Sequence, residues 1–157
     1  MAEFAPVLLA EDDEHDVFFM RRAFAKAEVP NPLVSVPDGE QAISYLQGQG
    51  EFGDRAKHPE PQLLLLDLKM PLVNGFEVLA WINQQPHLRN MIPVLVLSSS
   101  AQEGDVQKAF DLGAHEYLVK PGDFNSLVGL VEDIKRRWLQ PTQPPQKPAQ
   151  INLPPST

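Results

Sequence analysis

The chain has 157 residues and a formal net charge of −8, with ordinary fractions of apolar and charged residues. This length is typical of one domain that buries its own core, and an acidic chain without a basic run argues against a nucleic-acid partner. The absence of cysteine excludes disulfides, thiolate metal sites and cysteine nucleophiles. No apolar run approaches the roughly 20 residues of a membrane span, and the N-terminal residues do not resemble a secretory signal, so we expect a cytoplasmic protein with no membrane partner.

Apolar runs that predict strands alternate along the chain with apolar residues at helical spacing. The predicted strands cover residues 6–10, 33–36, 63–66, 93–97 and 117–119. The predicted helices lie within residues 17–27, 43–48, 76–82, 106–113 and 127–138. Residues 48–61, between the second helix and the third strand, are rich in glycine, proline and charge, and we predict a surface loop there.

The third predicted strand is the most informative element. Residues 63–66 are four consecutive leucines, which predicts a strand buried on both faces, because a half-exposed strand would alternate apolar and polar residues. The run ends at Asp67, and Lys69-Met70-Pro71 separates it from the next helix. A lone aspartate at such a point commonly does no more than begin a turn, so a functional site requires other residues at the same edge.

Five buried strands alternating with five helices predict an α/β fold, a doubly wound parallel sheet of the flavodoxin-like type with right-handed crossovers. The expected strand order is 2-1-3-4-5, in which strands one and three flank the point where ligand sites form. The residues that follow strands one, three, four and five are Glu11-Asp12-Asp13, Asp67, Ser98 and Lys120. All of them are therefore expected at the carboxyl edge of the sheet.

The carboxylates at this edge predict a metal site. Carboxylates that face one another repel, and burial raises their pKa values further, whereas a hard cation such as Mg²⁺ relieves the repulsion and accepts carboxylate and carbonyl oxygens. We expect Asp12 and Asp67 as direct ligands, the Lys69 backbone carbonyl within reach, and Glu11 contributing through water. Such a site suits phosphoryl transfer, and Asp67 can itself be the nucleophile because carboxylates form acyl phosphates.

Two further residues supply what a phosphoryl oxygen needs. Lys120 offers a compact positive charge and Ser98 a hydroxyl donor. Each has an ordinary explanation when taken alone, because a Lys-Pro pair commonly begins a loop and a serine at a strand end commonly caps it. Only their convergence with the carboxylates on one edge favours the functional interpretation.

Taken together, these positions resemble the receiver domain of two-component response regulators. The resemblance rests on Glu11-Asp12, on Asp67-x-x-Met70-Pro71, on Ser98 and on Lys120-Pro121, each after its own strand. It covers residues 6–140, so we assign residues 1–140 to a receiver domain and residues 141–157 to a proline-rich tail that is expected to be disordered. Glu11 stands where aspartate is commoner in the family, and Ser98 where threonine is commoner.

The resemblance implies a role for each residue. Asp67 would be the phosphoacceptor, Glu11 and Asp12 would hold Mg²⁺ with Asp67 and the Lys69 carbonyl, and Lys120 would contact the phosphoryl group. Ser98 would move toward that group, and Tyr117 would act as the switch aromatic that turns inward with it. The Lys120–Pro121 bond is expected to be cis, as in the family.

The resemblance also implies partners. The donor would be a sensor histidine kinase, and the long loop over residues 48–61 resembles regulators paired with bacterial phytochromes. Because only a short proline-rich tail follows the receiver, we expect output through protein contacts. The expected contact is a homodimer or a complex with the kinase, formed through the fourth helix, fifth strand and fifth helix. Those two helices carry Val106, Ala109 and Phe110, and Val128, Val131 and Lys135 respectively. We expect a signalling phosphoreceiver that catalyses only its own phosphorylation and dephosphorylation.

Two alternatives remain at this point. One is a Mg²⁺-dependent phosphatase or hydrolase with an aspartate nucleophile on a similar fold, although such enzymes usually place a second carboxylate two residues after the nucleophile, where this chain has Lys69. The other is a receiver-like scaffold that works without phosphorylation. It is less favoured because every residue that phosphorylation would need is present in the sequence.

Overall fold

The computed structural model describes residues 4–139 of the chain. Its strands are β1 (Val7–Ala10), β2 (Leu33–Val36), β3 (Leu63–Leu66), β4 (Val94–Ser98) and β5 (Glu116–Val119). Its α-helices are α1 (Glu14–Lys26), α2 (Gly39–Gln47), α3 (Gly75–Asn83), α4 (Pro86–Met91), α5 (Glu103–Asp111) and α6 (Phe124–Trp138). A short 3₁₀ turn, Gly50–Phe52, follows α2. Within these residues no helix is both long enough and apolar enough to cross a membrane.

The five strands form one parallel sheet in the order β2-β1-β3-β4-β5. This confirms the predicted α/β fold and strand order. β1, β3 and β4 are buried along their whole length, as expected of strands covered on both faces. β2 and β5 are only partly buried, because they are the edges of the sheet, so the prediction that all five strands are buried is wrong for these two.

The alternation of side chains along the central strands divides the core into two layers. In β3, Leu64 and Leu66 face the layer covered by α2 to α5, whereas Leu63 and Leu65 face the layer covered by α1 and α6. Four consecutive leucines are therefore needed because both faces of this strand are dry. The prediction from the leucine run is confirmed.

The described residues contain six α-helices in place of the predicted five. The additional helix is α4, which begins at Pro86. We predicted that this proline ends α3 and did not assign a helix after it. Proline is tolerated at the first helical position, where the missing amide proton has no partner in the helix, and Leu88 is buried and anchors the short helix on the core.

Residues 48–61 are better packed than a plain surface loop. Phe52 is buried and lies against Tyr45 of α2 with ring centroids 5.0 Å apart. The Tyr45 hydroxyl donates to the Pro59 carbonyl over 2.9 Å, and the Arg55 guanidinium donates to the Leu46 carbonyl, near the end of α2, over 3.0 Å. These contacts hold the segment against α2.

One backbone prediction is wrong. No cis peptide bond occurs among residues 4–139, so the Lys120–Pro121 bond is trans. The trans form is the intrinsically favoured one even before proline.

Candidate functional site

The sheet itself positions the predicted site residues. The backbone amides of Glu11, Asp67 and Lys120 continue the strand hydrogen bonding past the ends of β1, β3 and β5. They donate to the carbonyls of Val36, Ala10 and Ser98 over 3.0, 3.0 and 2.8 Å respectively. Because the backbone of each residue is hydrogen-bonded to a neighbouring strand, the three side chains start from fixed positions at the same edge of the sheet.

The structure brings three of the predicted carboxylates together. Glu11, Asp12 and Asp67 each offer one oxygen, and these oxygens all lie within 4.8 Å of one another. Glu11 and Asp67 are buried, whereas Asp12 is exposed, so the cluster is open to solvent on one side. Hard oxygen donors at this spacing fit a divalent cation that keeps several waters. Lys69, whose backbone carbonyl we predicted as a further ligand, lines the same cleft as Asp12.

Burial dominates the electrostatics of this cluster. It raises the pKa of Glu11 to about 7, with Asp67 adding to the rise and the hydrogen bond from Lys120 opposing it. Burial also raises the pKa of Asp67, against the lowering effect of Lys120. Both carboxyl groups therefore resist ionisation in a site without a cation, and a bound divalent cation would relieve that cost.

Lys120 is held by a residue that we did not predict. Its ammonium nitrogen lies 2.8 Å from Glu11 Oε1, 2.7 Å from Asp16 Oδ2 and 3.8 Å from Asp67 Oδ2. Burial alone would lower the pKa of Lys120, but the hydrogen bonds to Asp16 and Glu11 raise it overall. Asp16 lies in the first turn of α1, and no signal in the sequence distinguishes it from the other acidic residue there, Glu14.

The third member of the acidic triplet has a different task. Asp13 is the N-cap of α1, and its side chain accepts hydrogen bonds from the amides of His15 and Asp16. These bonds lower the pKa of Asp13. Its carboxylate therefore stabilises the start of α1 and so sets the position of Asp16 in the first turn.

Gly75 allows α3 to begin directly against the backbone of Asp67. A Cβ atom on this glycine would lie 2.4 Å from the Asp67 carbonyl oxygen. Its amide also donates to the Leu68 carbonyl over 3.0 Å. Asn74 and Glu77 complete the helix start as a reciprocal capping box. The loop after Asp67 is thus fixed by close backbone packing.

Ser98 is 1% exposed at the end of β4, and its hydroxyl oxygen accepts the Ser100 amide over 3.1 Å. Tyr117 is partly buried in β5, and its hydroxyl donates to the Ser100 carbonyl over 2.7 Å. The two predicted switch residues therefore contact the same neighbour, Ser100, which we did not single out from the sequence. The only signal for it was its place in the run Ser98-Ser99-Ser100.

Two openings adjoin the carboxylate cluster. One cavity of about 350 Å³ lies between α1 and the start of α6 and is lined by Glu11 and Lys120. Phe19 and Phe124 of its lining form, together with Phe18 and Arg22, a group that we call the aromatic surface. Phe18, Phe19 and Arg22 are exposed, and Phe124 is half-buried. The other opening, a cleft of about 560 Å³, is lined by Asp12 and Asp105 among others.

The structure shows which side chains of the predicted output surface are exposed. Ala109 of α5 and Val131 of α6 are fully buried and pack on the sheet, so they cannot contact a partner. Lys135 donates to the Ala27 carbonyl and so faces α1. The exposed apolar residues here are Phe110 of α5, 44% exposed, and Val119 of β5, 47% exposed. We call the exposed surface of α5, β5 and α6 that carries these two residues the output face.

Comparison with known proteins decides the family. Residues 7–132 match the family model described as the response regulator receiver domain. The chain belongs to this family. The strand order of its sheet and the acidic pocket at the carboxyl edge of that sheet are those of a receiver domain.

Individual relatives extend the match over most of the chain. The response regulator Rcp1 of Synechocystis sp. is 37% identical over 134 residues, covering 85% of this chain and 88% of Rcp1. The probable methanogenesis regulatory protein FilR2 of Methanothrix harundinacea is also 37% identical, covering 85% of this chain and 83% of FilR2.

Solved structures give the same result. The phosphorylated cyanobacterial phytochrome response regulator RcpA superimposes with a TM-score of 0.81 at 35% identity, covering 92% of this chain and all of RcpA. The Mn²⁺-bound form of Rcp1 superimposes with a TM-score of 0.78 at 34% identity, covering 90% of this chain and 99% of Rcp1. Receiver domains bind a divalent metal at an acidic pocket, and the cluster of Glu11, Asp12 and Asp67 is such a pocket.

Proposed function

We propose that Asp67 accepts a phosphoryl group from a phosphohistidine of a sensor histidine kinase. The observation that supports this most directly is the position of Asp67, buried at the end of β3 beside Glu11 and Asp12 and 3.8 Å from the ammonium of Lys120. A buried carboxylate close to both a cation and metal-binding oxygens suits phosphoryl transfer.

The reaction forms an acyl phosphate. A carboxylate oxygen of Asp67 attacks phosphorus, and the new O–P bond forms as the P–N bond of the phosphohistidine breaks, with the electron pair returning to the imidazole. Lys120 contacts a phosphoryl oxygen, and the Ser98 hydroxyl donates to another. Asp12, Asp67, Glu11 and the Lys69 carbonyl would hold Mg²⁺, which neutralises charge on the transferred group when it is bound. The protein catalyses only its own phosphorylation and dephosphorylation.

The phosphatase alternative has no support in this site. The residue two positions after Asp67 is Lys69, an ammonium where such enzymes place a carboxylic acid. Glu11 and Asp12, the carboxylates nearest to Asp67, are committed to the metal-binding cluster in this proposal.

The kinase contact belongs at the aromatic surface. Phe18 is 55% exposed and Phe19 is 44% exposed on α1, and Phe19 lines the cavity that leads to Glu11 and Lys120. A partner that delivers a phosphoryl group to Asp67 must approach this edge of the sheet, and exposed aromatic residues commonly anchor such contacts. We propose that the kinase is of the phytochrome type, and the description of RcpA as a phytochrome response regulator supports this. FilR2 has the same 37% identity to this chain as Rcp1, but its name refers to methanogenesis.

Phosphotransfer tests this proposal. A phytochrome-type histidine kinase labelled on its phosphohistidine should transfer the label to the wild-type chain and not to Asp67→Asn. The matched control Asp54→Asn changes an aspartate in the segment beside α2 and should accept the label normally. Replacement of Phe18 and Phe19 by serine should slow transfer from the kinase while leaving phosphorylation by acetyl phosphate unchanged.

We further propose that output occurs through the output face, as a homodimer. Phe110 and Val119 are large exposed apolar side chains there, which suits self-association. Phosphorylation would shift the dimerisation equilibrium by roughly 1–3 kcal/mol, the usual coupling between two sites. Sedimentation with and without beryllofluoride, repeated on a chain that ends at Gln140, tests this. If self-association is unchanged by beryllofluoride, or is lost only when the tail is removed, the output face is not the dimer contact.

A further inference from the structure

Ser100 has all of its polar groups engaged. Its amide donates to the Ser98 hydroxyl oxygen over 3.1 Å, and its carbonyl accepts the Tyr117 hydroxyl over 2.7 Å. Its own hydroxyl donates to Asp105 Oδ2 over 2.7 Å and accepts the Gln102 amide over 3.2 Å. This residue therefore joins the end of β4, the middle of β5 and the first turn of α5.

The bond to Asp105 is the one that reaches a helix. Asp105 lies in the first turn of α5, where free backbone amides favour a carboxylate. The N-cap of this helix, Gln102, makes no side-chain capping bond. A hydroxyl-to-carboxylate bond of 2.7 Å is charge-assisted and among the stronger kinds of hydrogen bond. The start of α5 is thus held to the loop mainly through Ser100 and Asp105.

We propose that Ser100 and Asp105 are positioning residues that couple the Ser98 hydroxyl to α5. This rests on the proposed function, in which Ser98 donates to a phosphoryl oxygen on Asp67. When the Ser98 hydroxyl moves toward Asp67, the Ser100 amide either follows it or loses its acceptor. Because an amide without an acceptor in this partly buried loop costs free energy, Ser100 follows the Ser98 hydroxyl and shifts relative to Asp105, and α5, which carries Phe110 of the output face, responds.

The coupling is tested by comparing the response near the site with the response along α5. Amide ¹H–¹⁵N spectra are recorded with and without beryllofluoride and Mg²⁺. In the wild type, the amides of Ser98 and Lys120 report the site, and those of Phe110 and Leu112 report the far end of α5. We expect all four signals to shift in the wild type.

The informative variants are Asp105→Asn and Ser100→Ala. Both should keep the shifts at the site and lose at least two-thirds of the shifts at the far end of α5. Ser100→Thr keeps the hydroxyl and should restore the response. Asp111→Asn is the matched control, because Asp111 lies on the same helix and accepts only an exposed bond from Gln107 over 2.9 Å. A purely structural role for Asp105 would lower stability without separating the two responses.

Unchanged α5 shifts in both Asp105→Asn and Ser100→Ala would overturn the coupling. If the wild type itself does not respond to beryllofluoride, the proposed function fails, and the coupling is then measured without any phosphoryl analogue. Ser98→Ala should shift the Phe110 amide in the wild-type background and much less in the Asp105→Asn background. Equal shifts in the two backgrounds would also overturn the coupling.

Discussion

The ammonium of Lys120 lies closer to Asp16 than to Asp67, at 2.7 Å from the first carboxylate and 3.8 Å from the second. Asp16 thus competes with the phosphoacceptor position for the cation that is expected to contact the phosphoryl group. The contact joins the first turn of α1 to the end of β5 across the edge of the sheet. It makes the charge available at Asp67 depend on a residue outside the metal cluster.

Replacement of Asp16 tests this competition. Asp16→Asn should strengthen beryllofluoride binding by a few-fold, on the order of 1 kcal/mol or less, because Lys120 is released toward Asp67 while Asp16 is partly exposed and screened by solvent. The affinity can be measured by titration followed by amide shifts at Ser98. Glu14→Gln, on an exposed residue of the same helical turn, should leave the affinity unchanged. Weaker binding in Asp16→Asn would show that Asp16 aligns Lys120 and does not compete for it.

Removal of one predicted metal ligand should separate metal binding from stability. Asp12→Ala should weaken Mg²⁺ binding ten-fold or more, on the order of 1.4 kcal/mol or above. The same variant should be more stable than the wild type in metal-free buffer, because one of three clustered carboxylates is gone. Calorimetric titration with Mg²⁺ and urea unfolding with a chelator measure the two effects. Normal Mg²⁺ affinity would move the ligand role to other oxygens.

The close packing at Gly75 predicts a stability effect at the site. Gly75→Ala places a Cβ atom 2.4 Å from the Asp67 carbonyl oxygen, and relief of this clash should cost roughly 1–3 kcal/mol of unfolding free energy. Gly129→Ala is the matched control, because no atom lies within 4 Å of its added Cβ in α6. Alanine in a helix interior should stabilise the fold by roughly 0.5–1 kcal/mol. Urea unfolding that shows equal effects for both variants would contradict this packing.

His115 predicts a pH dependence away from the site. Its Nδ1 accepts the Val94 amide over 3.0 Å, and burial of part of the ring lowers its pKa below the ordinary value of 6.5. Because the folded protein binds the proton more weakly than the unfolded chain, the stabilising contribution is complete above pH 6.5 and falls as the pH drops toward the folded pKa. His115→Gln should reduce this acid sensitivity, whereas His15→Gln measures the effect of changing an exposed histidine. Although part of the ring is buried, the residue as a whole is exposed to solvent, so solvent screening keeps the effect small.

The parts of the fold that the sequence predicted are those in which the local pattern and the tertiary structure agree. Four leucines followed by Asp67 have one simple explanation in a parallel sheet, and the structure confirms the central strand. Glu11, Asp12 and Asp67 come together because they follow β1 and β3, which are neighbouring parallel strands. The sequence did not predict α4, because a proline such as Pro86 can either follow one helix or begin the next.

The contacts that were missed depend on tertiary structure. Asp16 resembles any acidic residue on an exposed helix face until α1 is placed beside Lys120. Ser100 becomes distinctive only when Tyr117 and Asp105 are brought to it from β5 and α5. The predicted disorder of residues 141–157 concerns residues outside the described part of the chain and stays a prediction.

Site mapping after reaction with acetyl phosphate and Mg²⁺ tests the central claim most directly. Intact mass and peptide mapping should show one phosphoryl group on wild-type protein, carried by Asp67, and none on Asp67→Asn under the same conditions. Omission of Mg²⁺ should abolish or strongly slow the reaction. Equal labelling of Asp67→Asn, or a phosphoryl group on Asp12 or Asp16 in the wild type, would contradict the account.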